Sequence, residues 1–192
     1  HLSLNHRIAN TTQTSSLIPC GYLEQTSFHT DHDNKCICET KNTDELVKLT
    51  ELNCWGCPYI QEIPMIVKLT KLDCSNCPNL QTIPSTLVNL TTLDCYNCHN
   101  LQEIPSTLVN LTELECWSCP YIQEIPSTLV NLTKLICDNC PKLQEIPSAL
   151  VNLTTLKCSG CPNLQEIPST LVNLTELDCG DCPNLQMIPS TL

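Results

Sequence analysis

A Cys-x-x-Cys pair starts at Cys54, Cys74, Cys95, Cys116, Cys137, Cys158 and Cys179, the first step being 20 residues and every later one 21. Self-similarity at a fixed short period means one supersecondary unit per copy, stacked on its neighbours, because a single copy cannot bury its own apolar edge. The unit reads L-T-x-L-x-C-x-x-C-P-x-L-Q-x-I-P-x-x-L-V-N, and seven copies run from Leu49 to Leu192. The first copy is one residue short and the last stops two residues early. Positions within the unit are numbered below from its first Leu. Composition fits thin stacked layers: with 17 Cys and 14 Pro but a single Phe, the core must be filled by Leu, Ile, Val and Cys.

Side-chain alternation sets the local geometry. In L-x-x-L-x-C, positions four and six point inward while three, five and seven point out, which is one short parallel strand per copy. The following I-P-S-T-L-V-N brings the chain back along the other side. Proline there blocks a long helix and predicts extended or 3₁₀ turns.

The segment L-x-x-L-x-C-x-x-C-x-x-L, as in Leu111, Leu114, Cys116, Cys119 and Ile122, resembles the cysteine-type consensus of the leucine-rich-repeat family. The I-P-x-x-L that follows, as in Ile125, Pro126 and Leu129, resembles that family's variable half. The arrangement of Cys-x-x-Cys is also similar to leucine-rich-repeat proteins of giant amoeba viruses. The resemblance implies an α/β-type repeat: a curved solenoid with short parallel strands on its concave face and extended or 3₁₀ turns on its convex face. Residues 1–45 lie outside the repeat and carry Cys20, Cys36, Cys38 and four of the five His. They are expected to cap the first Leu layer, with the repeats occupying 46–192. The chain begins at His1 without a start methionine and stops inside a repeat at Leu192, so a fragment or processed chain is one expectation and an end covered by a partner is another.

A longer period overlies the short one. Position three runs Glu51, Lys71, Thr92, Glu113, Lys134, Thr155, Glu176, which is the trace of a duplicated three-repeat block.

Positions five and seven vary between copies while the apolar positions hardly do. Position five runs Asn53, Asp73, Asp94, Glu115, Ile136, Lys157, Asp178, and position seven runs Trp55, Ser75, Tyr96, Trp117, Asp138, Ser159, Gly180. Aromatic side chains exposed on a rigid sheet are anchors for protein recognition. Positions three, five, seven and eight together hold nine acidic residues and three Lys, which favours a partner with a basic surface. The expected partner-binding set is therefore Glu51, Asn53, Trp55, Lys71, Asp73, Asp94, Tyr96, Glu113, Glu115, Trp117, Lys134 and Asp138, with Trp55, Tyr96 and Trp117 as spaced anchors. A solubilising face without a partner is the alternative.

The charge of −11, with nine Lys and Arg, argues against nucleic acid and anionic membrane surfaces. No run of 18 apolar residues is present to span a membrane. Nothing signals catalysis: Gly-rich phosphate loops are absent, and inward thiols lack the basic neighbours that activate cysteine. No cofactor is expected.

The paired cysteines admit three readings: buried small hydrophobes in two ladders, disulfides, or a tetrahedral metal site. The first is preferred because a solenoid already has a core. Closely stacked thiols would mispair in an oxidising lumen, which points to a reducing, intracellular location, the host cytoplasm or a virion if the chain is viral. Against it, Asn89, Asn110, Asn131, Asn152 and Asn173 head Asn-Leu-Thr sequons and Asn10 heads Asn-Thr-Thr, so a secreted, glycosylated chain is the alternative. Cys95, Cys98 and His99 spell a c-type haem attachment motif, but His99 stands where the other copies have Pro, so the match is read as coincidence. Two other functions remain in play: an assembly protein stacking end to end, and an ice-binding solenoid using rows such as Ser106, Thr107 and Ser127, Thr128.

Overall fold

A computed structural model of the chain describes residues 48–189. The expected 1–45 cap, with its cysteines and histidines, and the Leu192 end lie outside the described residues. Each repeat contributes one three-residue strand: β1 (Glu51–Asn53), β2 (Lys71–Asp73), β3 (Thr92–Asp94), β4 (Glu113–Glu115), β5 (Lys134–Ile136), β6 (Thr155–Lys157) and β7 (Glu176–Asp178). They form one seven-stranded parallel sheet in sequential order. Register is strict, with Leu52, Leu72, Leu93, Leu114, Leu135, Leu156 and Leu177 opposite one another. The solenoid implied by the repeat and by the family resemblance is thus what forms. Among the described residues there is no α-helix. The return side is made of turns, as the Pro at position sixteen predicts; in repeat four, Leu129 N–H donates to Pro126 O and Leu132 N–H to Leu129 O, both at 3.1 Å.

The core is one continuous stack. Positions one, four, six, nine, twelve, fifteen and nineteen are buried from Leu49 through Leu171. Both cysteines of every pair from Cys54 to Cys161 are fully buried, so the Cys residues are core. The last described layer, Leu174, Leu177, Cys179, Cys182 and Leu185, is only partly buried.

Several fixed positions are polar, and their job is to satisfy backbone carbonyls one repeat back. Buried or turn carbonyls left unpaired are costly, so a repeating fold repeats the donors too. Thr112 Oγ1 donates to Thr91 O at 3.0 Å and Asn110 Nδ2 to Val88 O at 2.9 Å. Asn100 Nδ2 reaches Pro78 O at 2.7 Å, and Thr107 Oγ1 reaches Ser85 O at 2.6 Å. The second cysteine of each pair from Cys77 to Cys182 does the same: Cys119 Sγ donates to Cys95 O at 3.2 Å and Cys140 Sγ to Cys116 O at 3.3 Å. The sheet side is tied at every repeat, whereas return-side backbone bonds are sparse and uneven, from 2.9 Å at Gln81 N–H to Gln61 O to 3.5 Å at Ile167 N–H to Met187 O. That asymmetry lets the two sides adopt different spacings, which is how such a stack curves.

Candidate functional site

Strand side chains at positions three and five, and the turn residue at seven, stand on the outer face of the sheet. In-register parallel strands hold equivalent residues of neighbouring repeats about 4.8 Å apart, so each position becomes a row. Rows of unlike side chains on a rigid sheet are what this surface offers chemically.

The aromatic residues do not stand apart as spaced, exposed anchors. Tyr96 and Trp117 stack, with ring centroids 4.3 Å apart and planes at 6°. Trp55 reaches over repeat two, its Nε1–H donating to Tyr96 OH at 3.2 Å. Trp55, Tyr96 and Trp117 are each half-buried and form one continuous shelf. The correction has a simple cause: the row spacing is close to ring-stacking distance, and the small Ser75 leaves a gap that Trp55 and Tyr96 close. Ser75 beneath that bridge is fully buried, and its hydroxyl has no hydrogen-bond partner among the described residues.

The position-five row brings Asp73, Asp94 and Glu115 into register beside the shelf. All three Lys of this face are ion-paired. Lys71 Nζ lies 3.4 Å from Glu51, Lys134 Nζ 2.6 Å from Glu115, and Lys157 Nζ 2.7 Å from Glu176. Among the described residues no ion pair reaches Asp73, Asp94 or Glu113. Asp94 shows the consequence: burial first, then the Glu115, Asp73 and Glu113 carboxylates, push its pKa up to about 6 against the pull of Lys134.

Other members of the expected set have local structural work. Asn53 Oδ1 accepts Trp55 N–H at 2.9 Å and Asp73 Oδ1 accepts Ser75 N–H at 3.1 Å, Asx turns that lead the strand into the Cys-x-x-Cys bend. Asp138 Oδ1 accepts Ser159 N–H at 2.7 Å, one repeat beyond Trp117 on the same row. Glu51, Lys71 and Glu113 are exposed, while Lys134 and Glu115 are half-buried.

Position eight is set by the backbone. Gly56, Asn76, Asn97, Ser118, Asn139, Gly160 and Asp181 all have φ between 52° and 69°. Only Gly, Asn and Asp adopt this left-handed turn readily. The G-N-N-S-N-G-D series in the sequence was the available signal for it, and this row is better explained by turn chemistry than by a partner.

The thiols from Cys54 to Cys161 are shut away from solvent. Burial pushes the Cys95 and Cys137 thiols far above their ordinary range, and it carries Cys119 and Cys161 to about 12. Cys95 and Cys98 are fully buried, which removes them from the surface where a haem would attach. Among the described residues, no group of three or more His, Cys, Asp or Glu is placed to hold a metal ion, and no helix is long and apolar enough to cross a membrane. The sequon asparagines Asn89, Asn110, Asn131, Asn152 and Asn173 are rungs of the carbonyl-capping ladder described above. The threonine hydroxyls of the Ser-Thr rows at Thr107, Thr128 and Thr170 are likewise engaged, Thr128 Oγ1 donating to Ser106 O at 2.6 Å.

Comparison with known proteins agrees with the geometry. A Leucine Rich Repeat family model matches residues 68–90, 89–111 and 152–174. No curated protein sequence matches. Among solved structures, the functional domain of InlJ from Listeria monocytogenes, described as including a cysteine ladder, is similar at TM-score 0.69 and 27% identity, covering 77% of this chain and 33% of that one. The leucine-rich-repeat domain of the type III effector XopL is similar at TM-score 0.62 and 23% identity, covering 76% of this chain and 57% of that one. The ectodomain of the plant membrane receptor kinase GASSHO1/SCHENGEN3 from Arabidopsis thaliana, solved in complex with CASPARIAN STRIP INTEGRITY FACTOR 2, is similar at TM-score 0.54 and 29% identity, covering 77% of this chain and 20% of that one. The chain therefore spans a third, somewhat over half and a fifth of these three proteins. The family model and the structures together support a leucine-rich-repeat family, and the fold is a leucine-rich-repeat solenoid.

Proposed function

We propose that this leucine-rich-repeat chain is a non-enzymatic protein-interaction module that takes a partner with a basic surface on its concave strand face. The observation that carries the reading is the half-buried Trp55–Tyr96–Trp117 shelf running beside the Asp73–Asp94–Glu115 row. Rings already packed against one another lose little freedom when a partner covers them, which is what makes an aromatic surface a strong anchor. The Asp73 and Asp94 carboxylates next to them, which no ion pair among the described residues reaches, favour cations and speed the encounter. The similar plant receptor ectodomain was solved in complex with another molecule, which fits a binding role for this kind of scaffold. A reducing, intracellular setting suits ladders of buried thiols in which the second cysteine donates to a carbonyl.

The test is to purify the intact chain with its bound partner from native cells and map amide exchange in the complex. Protection over 51–55, 71–75, 92–96 and 113–117 is expected. Protection confined to the return side, around the exposed position-fourteen residues Glu103, Glu124 and Glu145, would refute the assignment of the face.

A further inference from the structure

The strand face contains one cell whose four corners are unlike any other four neighbours on it. Asp73 and Asp94 are opposite one another on β2 and β3, and Ser75 and Tyr96 follow them two residues along. Two carboxylates without a Lys partner form one edge. A ring already stacked on its far side by Trp117 forms the third corner. The fourth is the Ser75 hydroxyl, fully buried under the Trp55–Tyr96 bridge and lacking a hydrogen-bond partner among the described residues. Buried hydroxyls are nearly always satisfied, so an orphan in this place marks a polar group that is missing. Everything at the cell asks for a cation: negative charge, an acceptor oxygen and an aromatic face. It also asks for a flat one, since the ring stack offers a plane and the two carboxylates, held in register on adjacent strands, a pair of neighbouring acceptors.

We propose that this cell is the seat of an arginine side chain of the partner, its guanidinium lying on the Tyr96 ring and forked onto Asp73 and Asp94, with Ser75 Oγ accepting an N–H as the Trp55 indole lifts from Tyr96. The inference rests on the interaction reading above and names the chemistry of its central contact. Lysine fits less well because a compact, strongly hydrated ammonium neither stacks nor forks. Binding is pH-dependent. The charged groups around Asp94 are Asp73 and Lys71 from β2, Glu113 and Glu115 from β4, and Lys134 from β5. Asp94 must be ionised to accept the fork, and burial among these carboxylates opposes that, so affinity falls as the pH drops through about 6.

The experiment titrates the full chain with acetylated seven-residue Gly-Ser peptides carrying one Arg, one Lys or one citrulline, read by the Trp indole N–H resonances and by tryptophan fluorescence. The Arg peptide is expected to bind about tenfold more tightly than citrulline and several-fold more tightly than Lys, displacing the Trp55 resonance. Asp94→Asn should weaken the Arg peptide about tenfold and Ser75→Ala about threefold, while Glu124→Gln on the opposite side leaves it unchanged. Thermal melts establish that each variant is folded. Equal binding of Arg and citrulline peptides, or an Asp94→Asn chain that binds Arg as well as the parent, overturns the inference. So does an absence of Arg binding while the native partner still protects the strand face; in that case the interaction reading stands and only its arginine contact falls.

Discussion

Swapping the two cysteine rows in turn separates a buried thiol that donates from one that only fills space. Cys119 and Cys95 are both fully buried. Cys119 Sγ donates to Cys95 O at 3.2 Å, whereas among the described residues no hydrogen bond ends on Cys95 Sγ. Removing either sulfur to make Ala loses about 0.8 kcal/mol of apolar burial, taking sulfur as one methylene. The void left, about 20 Å³, adds about 0.5 kcal/mol at the usual cavity coefficient. Cys119→Ala also loses a hydrogen bond worth about 0.5–1 kcal/mol, so it should cost about 2 kcal/mol against about 1.3 for Cys95→Ala. Serine reverses the order. At Cys119 the hydroxyl can replace the thiol as donor, and Cys119→Ser should cost about 1 kcal/mol, less than Ala. At Cys95 it is a buried hydroxyl with no waiting acceptor, costing about 1–3 kcal/mol beyond the lost sulfur. Urea unfolding of the four variants in reducing buffer, followed by far-UV circular dichroism, measures the four numbers. The same Ser-versus-Ala order at both sites would show that the thiol-to-carbonyl ladder contributes nothing, and the reasoning would fail.

Three further outcomes follow from the same geometry. Ser118 holds a left-handed φ of 56° at a position where five of the seven repeats carry Gly or Asn, so Ser118→Asn should stabilise the fold by about 0.5–1 kcal/mol in the same unfolding assay; no gain would contradict the strain. Asp94 has its folded pKa raised from 3.8 to about 6, so its ionised form weighs against the fold: stability is greatest below the unfolded pKa and is lost as pH rises through the window from 3.8 to 6. Asp94→Asn should therefore raise stability at pH 7.5 by about 1 kcal/mol, after discounting for solvent screening of a half-exposed group, and by almost nothing at pH 3; equal gains at both values would remove the electrostatic cause. Iodoacetamide applied to the native chain should modify Cys179 and Cys182 well before the twelve buried cysteines from Cys54 to Cys161, as peptide mass spectrometry would show; interior labelling at the same rate would mean the layers open readily.

Period and burial were legible without coordinates. A 21-residue spacing of Leu, Cys and Ile allows only a stack of equivalent layers, and alternation along L-x-x-L-x-C decides which side chains enter the core, because strand side chains alternate by necessity. Inward cysteines and Pro-limited turns follow from the same local rules. The fixed Thr and Asn were visible as letters, but their carbonyl partners lie 20 to 22 residues back, and only the stacking of one repeat on the next brings donor to acceptor. The left-handed turn at position eight was spelled out in its Gly and Asn yet reads as surface variation until the backbone angle is known. The outer face depended most on tertiary structure. Sequence places Trp55, Tyr96 and Trp117 on one row, but whether rings on a row stand alone or join is decided by strand spacing and by the size of the residue between them. Ser75 is small enough for Trp55 to cross to Tyr96, and that contact turns three anchors into one shelf beside a carboxylate whose pKa depends on neighbours 21 residues away in either direction.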